Sequence, residues 1–296
     1  KIALIASFIM SVFWLLIFNT TRVHTDALAL FFYVLAIYLF FRYYIKEYKR
    51  KYIWLIGPIL ALSFLTRLSS ILIIISIGIY LLFTERLTFL KKKDLWISAI
   101  LGMIPIVLYL IWNKVTFGSF LAFAKSYTQG FTGGPAWYIL KFFQLYTEWV
   151  YFILFIIGVL TLYKLIIGFD LLLKNKEESL KADFFILLWI LVPLIYFIFF
   201  QRAAEDRWLM IIAPAVFLLV GKGVMIIYDF LKKHNKYIAI GAIALLLSYG
   251  AYLQLDHTKK IIDIKKDTYK QVREAGLWIK ENSQPTDNVL ANNVYM

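Results

Sequence analysis

The sequence has no cysteine. That excludes disulfides and thiolate metal sites, and it leaves the compartment open. Charge is scarce, at 17% of residues, against about 25% in ordinary globular domains. Acidic residues are the scarcer sign, 18 against 32 basic ones, for a net charge of +14. Several signatures of soluble enzymes are also missing. There is no phosphate-binding P-loop, no GxGxxG followed by an acid, no HExxH and no G-x-S-x-G. Internal repeats and low-complexity tracts are absent as well.

What is present is apolar sequence. Of the 296 residues, 62% are hydrophobic, where a soluble domain has about 45–50%. The excess falls in runs near 3–19, 27–41, 53–83, 95–112, 149–168, 184–200, 208–228 and 237–254. Short charged stretches separate them, the pattern of a bilayer-spanning helical bundle. A basic balance in a soluble protein would raise nucleic acid as a partner. Here the basic residues cluster between apolar runs, so the positive-inside rule accounts for them and no nucleic-acid partner is expected.

The run 53–83 is too long for one crossing, at about 46 Å of helix, and too short for two full ones. Arg42, Lys46, Lys49, Arg50 and Lys51 precede it, and Arg86, Lys91, Lys92 and Lys93 follow it. Both flanks read as cytoplasmic, so the run goes out and returns as a short helical hairpin with Arg67 at its apex. Lys174, Lys176 and Lys181 mark another inner loop, and Lys232, Lys233 and Lys236 a further one. The fold expected is therefore an all-α polytopic membrane protein of about nine transmembrane helices, followed by the start of an external α/β domain. The domain division is 1–254, transmembrane, and 255–296, external. Residues 258–282 read as an amphipathic helix, Pro285 stops it, and Val289-Leu290-Ala291 read as a strand start. With Lys at position 1, the chain reads as an internal stretch of a longer protein.

The outer segments are then 20–26, 66–70, 113–148, 201–207 and 255–296, and three constellations fall in them. Thr20-Thr21-Arg22-Val23-His24-Thr25-Asp26 puts Arg22, His24 and Asp26 at the outer rim. Asp26 is a substrate or metal ligand, a general base, or a helix cap that accepts from free N–H groups. Gln201 to Trp208 holds Arg202, Glu205, Asp206 and Arg207. It is a phosphate grip, which the guanidinium fork suits, or a self-neutralising loop. Pro214 follows and is expected to free backbone groups in the next span. In the loop 113–148, with an aromatic interfacial helix expected near 137–147, Lys125, Tyr127 and Glu148 are candidate contacts. Arg67 at membrane depth requires a polar cavity or a pairing partner.

The order of these motifs resembles the GT-C superfamily of membrane glycosyltransferases, in particular the group of protein O-mannosyltransferases and the aminoarabinose transferase of lipid A. The resemblance rests on Thr25-Asp26 opening a span and Ala61-Leu62-Ser63-Phe64-Leu65-Thr66-Arg67 at the hairpin. It continues through Asn113, Phe117, Gly118 and Ser119, then Glu205-Asp206-Arg207-Trp208 before Pro214, and Gly276 to Asn282. It implies inverting transfer from a polyprenyl-phosphate sugar to a protein, lipid or glycan acceptor on the extracellular or periplasmic face of the cell membrane. It also implies Arg67, Arg202 and Arg207 as donor-phosphate contacts, although Lys is commoner at the position of Arg67. Asp26 matches the acid of the second external loop, and the family's base in the first external loop would lie upstream. Metal use varies in the family, so a divalent metal is left open. The rival class is a transporter or lipid flippase, where intramembrane Arg and broken helices also occur.

Overall fold

A computed structural model describes residues 1–21, 24–47, 50–122, 135, 137–168, 178–201, 205–266 and 270–284. These are helical, with no strand among the described residues. The helices are α1 (Ile2–Val12), α2 (Trp14–Thr21), α3 (Thr25–Leu39), α4 (Ile56–Thr66), α5 (Ile71–Glu85) and α6 (Lys93–Phe117). They continue with α7 (Phe142–Leu160), α8 (Tyr163–Ile167), α9 (Glu178–Ile195), α10 (Ala213–Lys232), α11 (Lys236–Lys265) and α12 (Lys270–Asn282). The expected strand at 289–291 lies outside the described residues, as do Lys174 and Lys176. The boundary expected at 254 falls inside α11, which runs unbroken to Lys265.

Among the described residues, seven helices are long and apolar enough to cross a membrane, or eight if the pair α1 and α2, bent by 49°, is one span. The ninth segment of the expected count is a shorter apolar helix, Lys51–Thr66. It is the outgoing arm of the hairpin, and at 1.5 Å per residue it rises only about 24 Å.

Two side-chain pairs fix the direction of that hairpin. Arg67 is ion-paired with Asp26 at the start of α3. Tyr44, past the far end of α3, donates its hydroxyl to Glu85 at the end of α5, at 2.8 Å. So α5 runs parallel to α3, and α4, which packs along α3, runs the other way. The chain therefore reverses at Arg67, as the charge pattern requires. The two arms find different neighbours, α4 against α3 and α6, and α5 against α9.

The main packing axis is α7 on α10. Glycine makes that approach possible. A Cβ at Gly158 would lie 1.9 Å from the Leu219 carbonyl oxygen, and one at Gly223 would lie 2.1 Å from that of Leu154. Lipid tails are as apolar as leucine, so close backbone packing is a main source of helix association in a membrane. α1 packs on α10, and α2 and α7 pack on α11. Directions alternate along the chain. Lys46, Lys51, Arg86, Lys91 to Lys93, Lys232, Lys233 and Lys236 accordingly fall at the end opposite Asp26.

Three helix interruptions shape the Asp26 end. The first is the bend at Phe13, whose ψ of 116° ends α1. The second is Glu148, with φ 53° and ψ 162° inside α7. The third is a 3-10 stretch, Asp206–Ile212, ahead of α10. Pro214 sits in the first turn of α10. Proline is tolerated there and leaves no kink, but it cannot donate to the preceding turn. Side chains from other helices meet the carbonyls of that stretch. Trp189 Nε1 donates to Ile211 O at 2.7 Å and Tyr146 Oη donates to Leu209 O at 2.7 Å. This is how irregular backbone persists at membrane depth.

Candidate active site at the helix ends

Four chain segments meet around a cavity of about 540 Å³. The start of α3 contributes His24, Thr25 and Asp26. The hairpin apex contributes Thr66, Arg67, Leu68 and Ser69. The end of the α9 segment contributes Tyr196, Phe197 and Gln201, and the approach to α10 contributes Arg207 and Trp208. Residues as far apart in sequence as His24 and Trp208 thus share one wall, because alternation of direction brings these ends together.

Arg67 is the hinge of the site. Its backbone is extended, with φ −155° and ψ 123°, which breaks the chain between α4 and the turn Leu68–Ser70. Its guanidinium pairs with Asp26, and the two side chains are 15% and 4% exposed. A buried charge is tolerated only when paired, so each residue accounts for the other. Asp26 stands in the first turn of α3, where a carboxylate also complements the helix dipole. It is not the N-cap. That position belongs to His24, with no side-chain cap bond.

The 205–208 segment serves two purposes at once. Glu205 pairs with Arg207 Nε at 2.5 Å, and Asp206 Oδ1 accepts from the Arg207 N–H at 2.7 Å. That is the self-neutralising loop. Arg207 still lines the cavity, whereas Glu205 and Asp206 do not. Both lining cations are therefore already paired, Arg67 with Asp26 and Arg207 with Glu205.

Arg22, Lys125, Tyr127 and Arg202 lie outside the described residues. Glu148 is described but does not line this cavity. It bonds His257 at 2.6 Å, with the Trp14 ring stacked on the imidazole at 4.5 Å. Sequence reasoning passed over Ser69, Tyr196 and Gln201. Tyr196 Oη donates to Gln201 Oε1 at 3.2 Å across the cavity rim. Gln201 opens the constellation at 201–208, but no role was read for its amide there.

No group of three or more His, Asp or Glu side chains suited to a metal occurs among the described residues. His24 and Asp26 are the two donors here, and Asp26 is engaged by Arg67. These residues do not by themselves fit a metal centre.

There is also a second, larger space. It is an apolar groove of about 850 Å³ between α1, α2, α3 and α10. Its α3 wall begins at Ala27, the residue after Asp26, and continues through Phe31, Val34 and Leu35 to Tyr38. That is about 17 Å of helix. Trp189 and Pro214 also line it.

Residues 1–112 match the family model described as dolichyl-phosphate-mannose-protein mannosyltransferase. The match includes Asp26 and Arg67, bears out the resemblance to GT-C membrane glycosyltransferases, and indicates a membrane glycosyltransferase. Arg207 lies beyond the matched stretch. No curated protein and no solved structure matches the chain.

Proposed function

We propose that this protein transfers a sugar from a polyprenyl-phosphate-linked donor to a hydroxyl or amine of a protein, lipid or glycan on the outer face of the membrane, with inversion at the anomeric carbon. One observation carries the reading. A polar cavity lined by Asp26, Arg67 and Arg207 and an apolar groove use consecutive residues of α3, Asp26 in the first and Ala27 in the second. A donor with a charged phosphate and a long apolar tail needs both spaces, side by side. The outer face is supported by the basic loops, which lie at the opposite end of the bundle and favour the cytoplasm.

The chemistry follows from the charges. The bond from C1 of the sugar to the phosphate oxygen breaks, and its electron pair stays on the phosphate. The acceptor oxygen or nitrogen bonds C1 from the opposite face and loses its proton. Negative charge grows on the leaving phosphate, and fixed cations in a dry pocket stabilise it. Arg67 is placed for this role but is paired with Asp26 before donor binds. The incoming phosphate competes for the guanidinium, and the released Asp26 carboxylate then accepts the acceptor's proton. Asp26 is the one carboxylate among the described residues lining the cavity. Arg207, with Arg202 in the same loop, adds positive charge for the phosphate.

The test is transfer of labelled sugar from a short-chain polyprenyl-phosphate donor by the full-length protein. Asp26→Asn and Arg67→Ala should each lower kcat at least a hundredfold. Full activity in both variants overturns the assignment. A full-length protein that transfers no sugar from any polyprenyl-phosphate donor, but moves lipid or solute across vesicles, replaces it with the transporter class.

A further inference from the structure

We propose that the turn opening α5 is a phosphate cradle: the Ser69 hydroxyl and the free N–H groups of Leu68 and Ser69 bind the anionic oxygens drawn in by Arg67 and Arg207. This rests on reading the cavity as the donor site, and it names a contact set outside the basic residues.

The break at Arg67 creates the cradle. Arg67 N donates back to Ser63 O at 3.0 Å and so ends α4. Ser70 N donates to Arg67 O at 3.0 Å and opens the next turn. The N–H groups of Leu68 and Ser69 fall between these two bonds, the position where a helix start has no internal acceptor. Helix and turn together run 18 residues, Leu68–Glu85. The positive dipole end therefore faces the cavity from a long apolar helix, where little water screens it.

Ser69 supplies the independent observation. It lines the cavity, and its hydroxyl oxygen is buried with no partner. Ser70, next to it, also has a buried hydroxyl with no partner but does not line the cavity, whereas three other hydroxyls of this hairpin bond their own helix. Thr66 bonds Leu62 O at 2.7 Å, Ser76 bonds Leu72 O at 2.9 Å, and Thr84 bonds Tyr80 O at 2.8 Å. Each uses the carbonyl four residues back. Ser69 cannot, because its equivalent carbonyl, on Leu65, belongs to α4 on the far side of the break. A buried hydroxyl without a partner is unfavourable by itself. A phosphate oxygen in the cavity would satisfy it and the two N–H groups together.

The cradle also has a direction in the reaction. The donor phosphodiester carries one negative charge, and the released monophosphate carries up to two. Donors fixed in place bind the second form more strongly, so the cradle acts most as C1–O cleavage proceeds.

The test uses full-length protein in lipid nanodiscs, with short-chain polyprenyl monophosphate, the matching polyprenol and inorganic phosphate as separate probes. A hydrogen bond to a charged group predicts about a tenfold or greater loss of polyprenyl-phosphate affinity in Ser69→Ala, with polyprenol binding unchanged. Ser69→Asp should abolish phosphate binding, and Ser76→Ala should match wild type. Wild-type affinity in both Ser69 variants overturns the cradle and leaves the donor reading intact. Absence of any phosphate binding by wild type overturns both. Binding of inorganic phosphate alone, weakened in Ser69→Ala, supports the cradle and removes the lipid-linked donor.

Discussion

Gln254 offers the sharpest check on how the irregular end of the bundle is held. It is 0% exposed on α11 and serves two broken helices at once. Its Oε1 accepts from Trp14 N at 3.1 Å, and its Nε2 donates to Tyr146 O at 3.3 Å. Trp14 needs the bond because the helix breaks at Phe13, immediately before it. Tyr146 needs it because Glu148, at φ 53°, takes α7 off the helical path two residues later. Substituting Gln254→Leu keeps nearly the same volume, so the change is chiefly polar. It leaves a backbone donor and a backbone acceptor buried without partners, at about 1–3 kcal/mol each. The total is about 2–6 kcal/mol, or a fall of about 5–15 °C in apparent melting temperature for a chain of this size. Intrinsic fluorescence of purified protein measures it directly, since the chain carries nine Trp. Gln254→Glu keeps the acceptor and loses the donor, so it should fall roughly midway or lower. A Leu variant that melts with wild type would refute the claim that Gln254 supports both breaks.

The Asp26–Arg67 pair separates stability from activity. Asp26→Ala alone should destabilise by about 3–5 kcal/mol because it strands a buried guanidinium, whereas Asp26→Asn with Arg67→Met should recover most of the melting temperature and none of the transfer. Gly158→Val places its branches against the Leu219 carbonyl across the close contact of α7 with α10; it should sharply reduce the monodisperse fraction in size-exclusion chromatography. Trp189→Phe keeps the ring and removes the bond to Ile211 O, an expected loss of about 1–2 kcal/mol, with the donor KM rising because the stretch carrying Arg207 loosens. Glu85→Gln weakens the tie to Tyr44 and Lys92 at the opposite end; sugar transfer should stay within about twofold of wild type, with any change confined to thermal stability.

Much of the topology was legible because charge and length act locally. Basic residues on both sides of 53–83 forced a reversal, and Arg67, the one charge in that run, had to mark the turn. Asp26 and Arg207 could be assigned to the same end by parity alone. Their contacts could not. No spacing rule links Asp26 to Arg67, because the pair forms through packing of α4 on α3 and not through either segment's periodicity. Ser69 was hidden for a related reason. A serine in an apolar run normally bonds its own helix, and only the extended backbone at Arg67 denies it that acceptor. Glu148 and His257 were likewise unreadable as partners, since α7 and α11 are separated by two spans. The expected count of nine is not confirmed: seven or eight helices among the described residues are long enough to cross, and the remaining arm, 51–66, is a shorter apolar helix.

The irregular backbone and the candidate chemistry occupy the same end of the bundle, and the connection is physical. A regular helix presents only side chains to its surroundings, because its N–H and C=O groups are consumed internally. To offer backbone donors to a ligand at membrane depth, a helix has to stop there. Arg67 achieves this for α5. Each such stop exposes carbonyls as well as donors, and those must be met by neighbours. Tyr146, Trp189 and Gln254 meet them from three other helices. Trp189 also lines the apolar groove and lies 5.8 Å from Tyr33, ring to ring. A side chain that holds the Arg207 stretch is thus also a wall of the space proposed for the lipid tail.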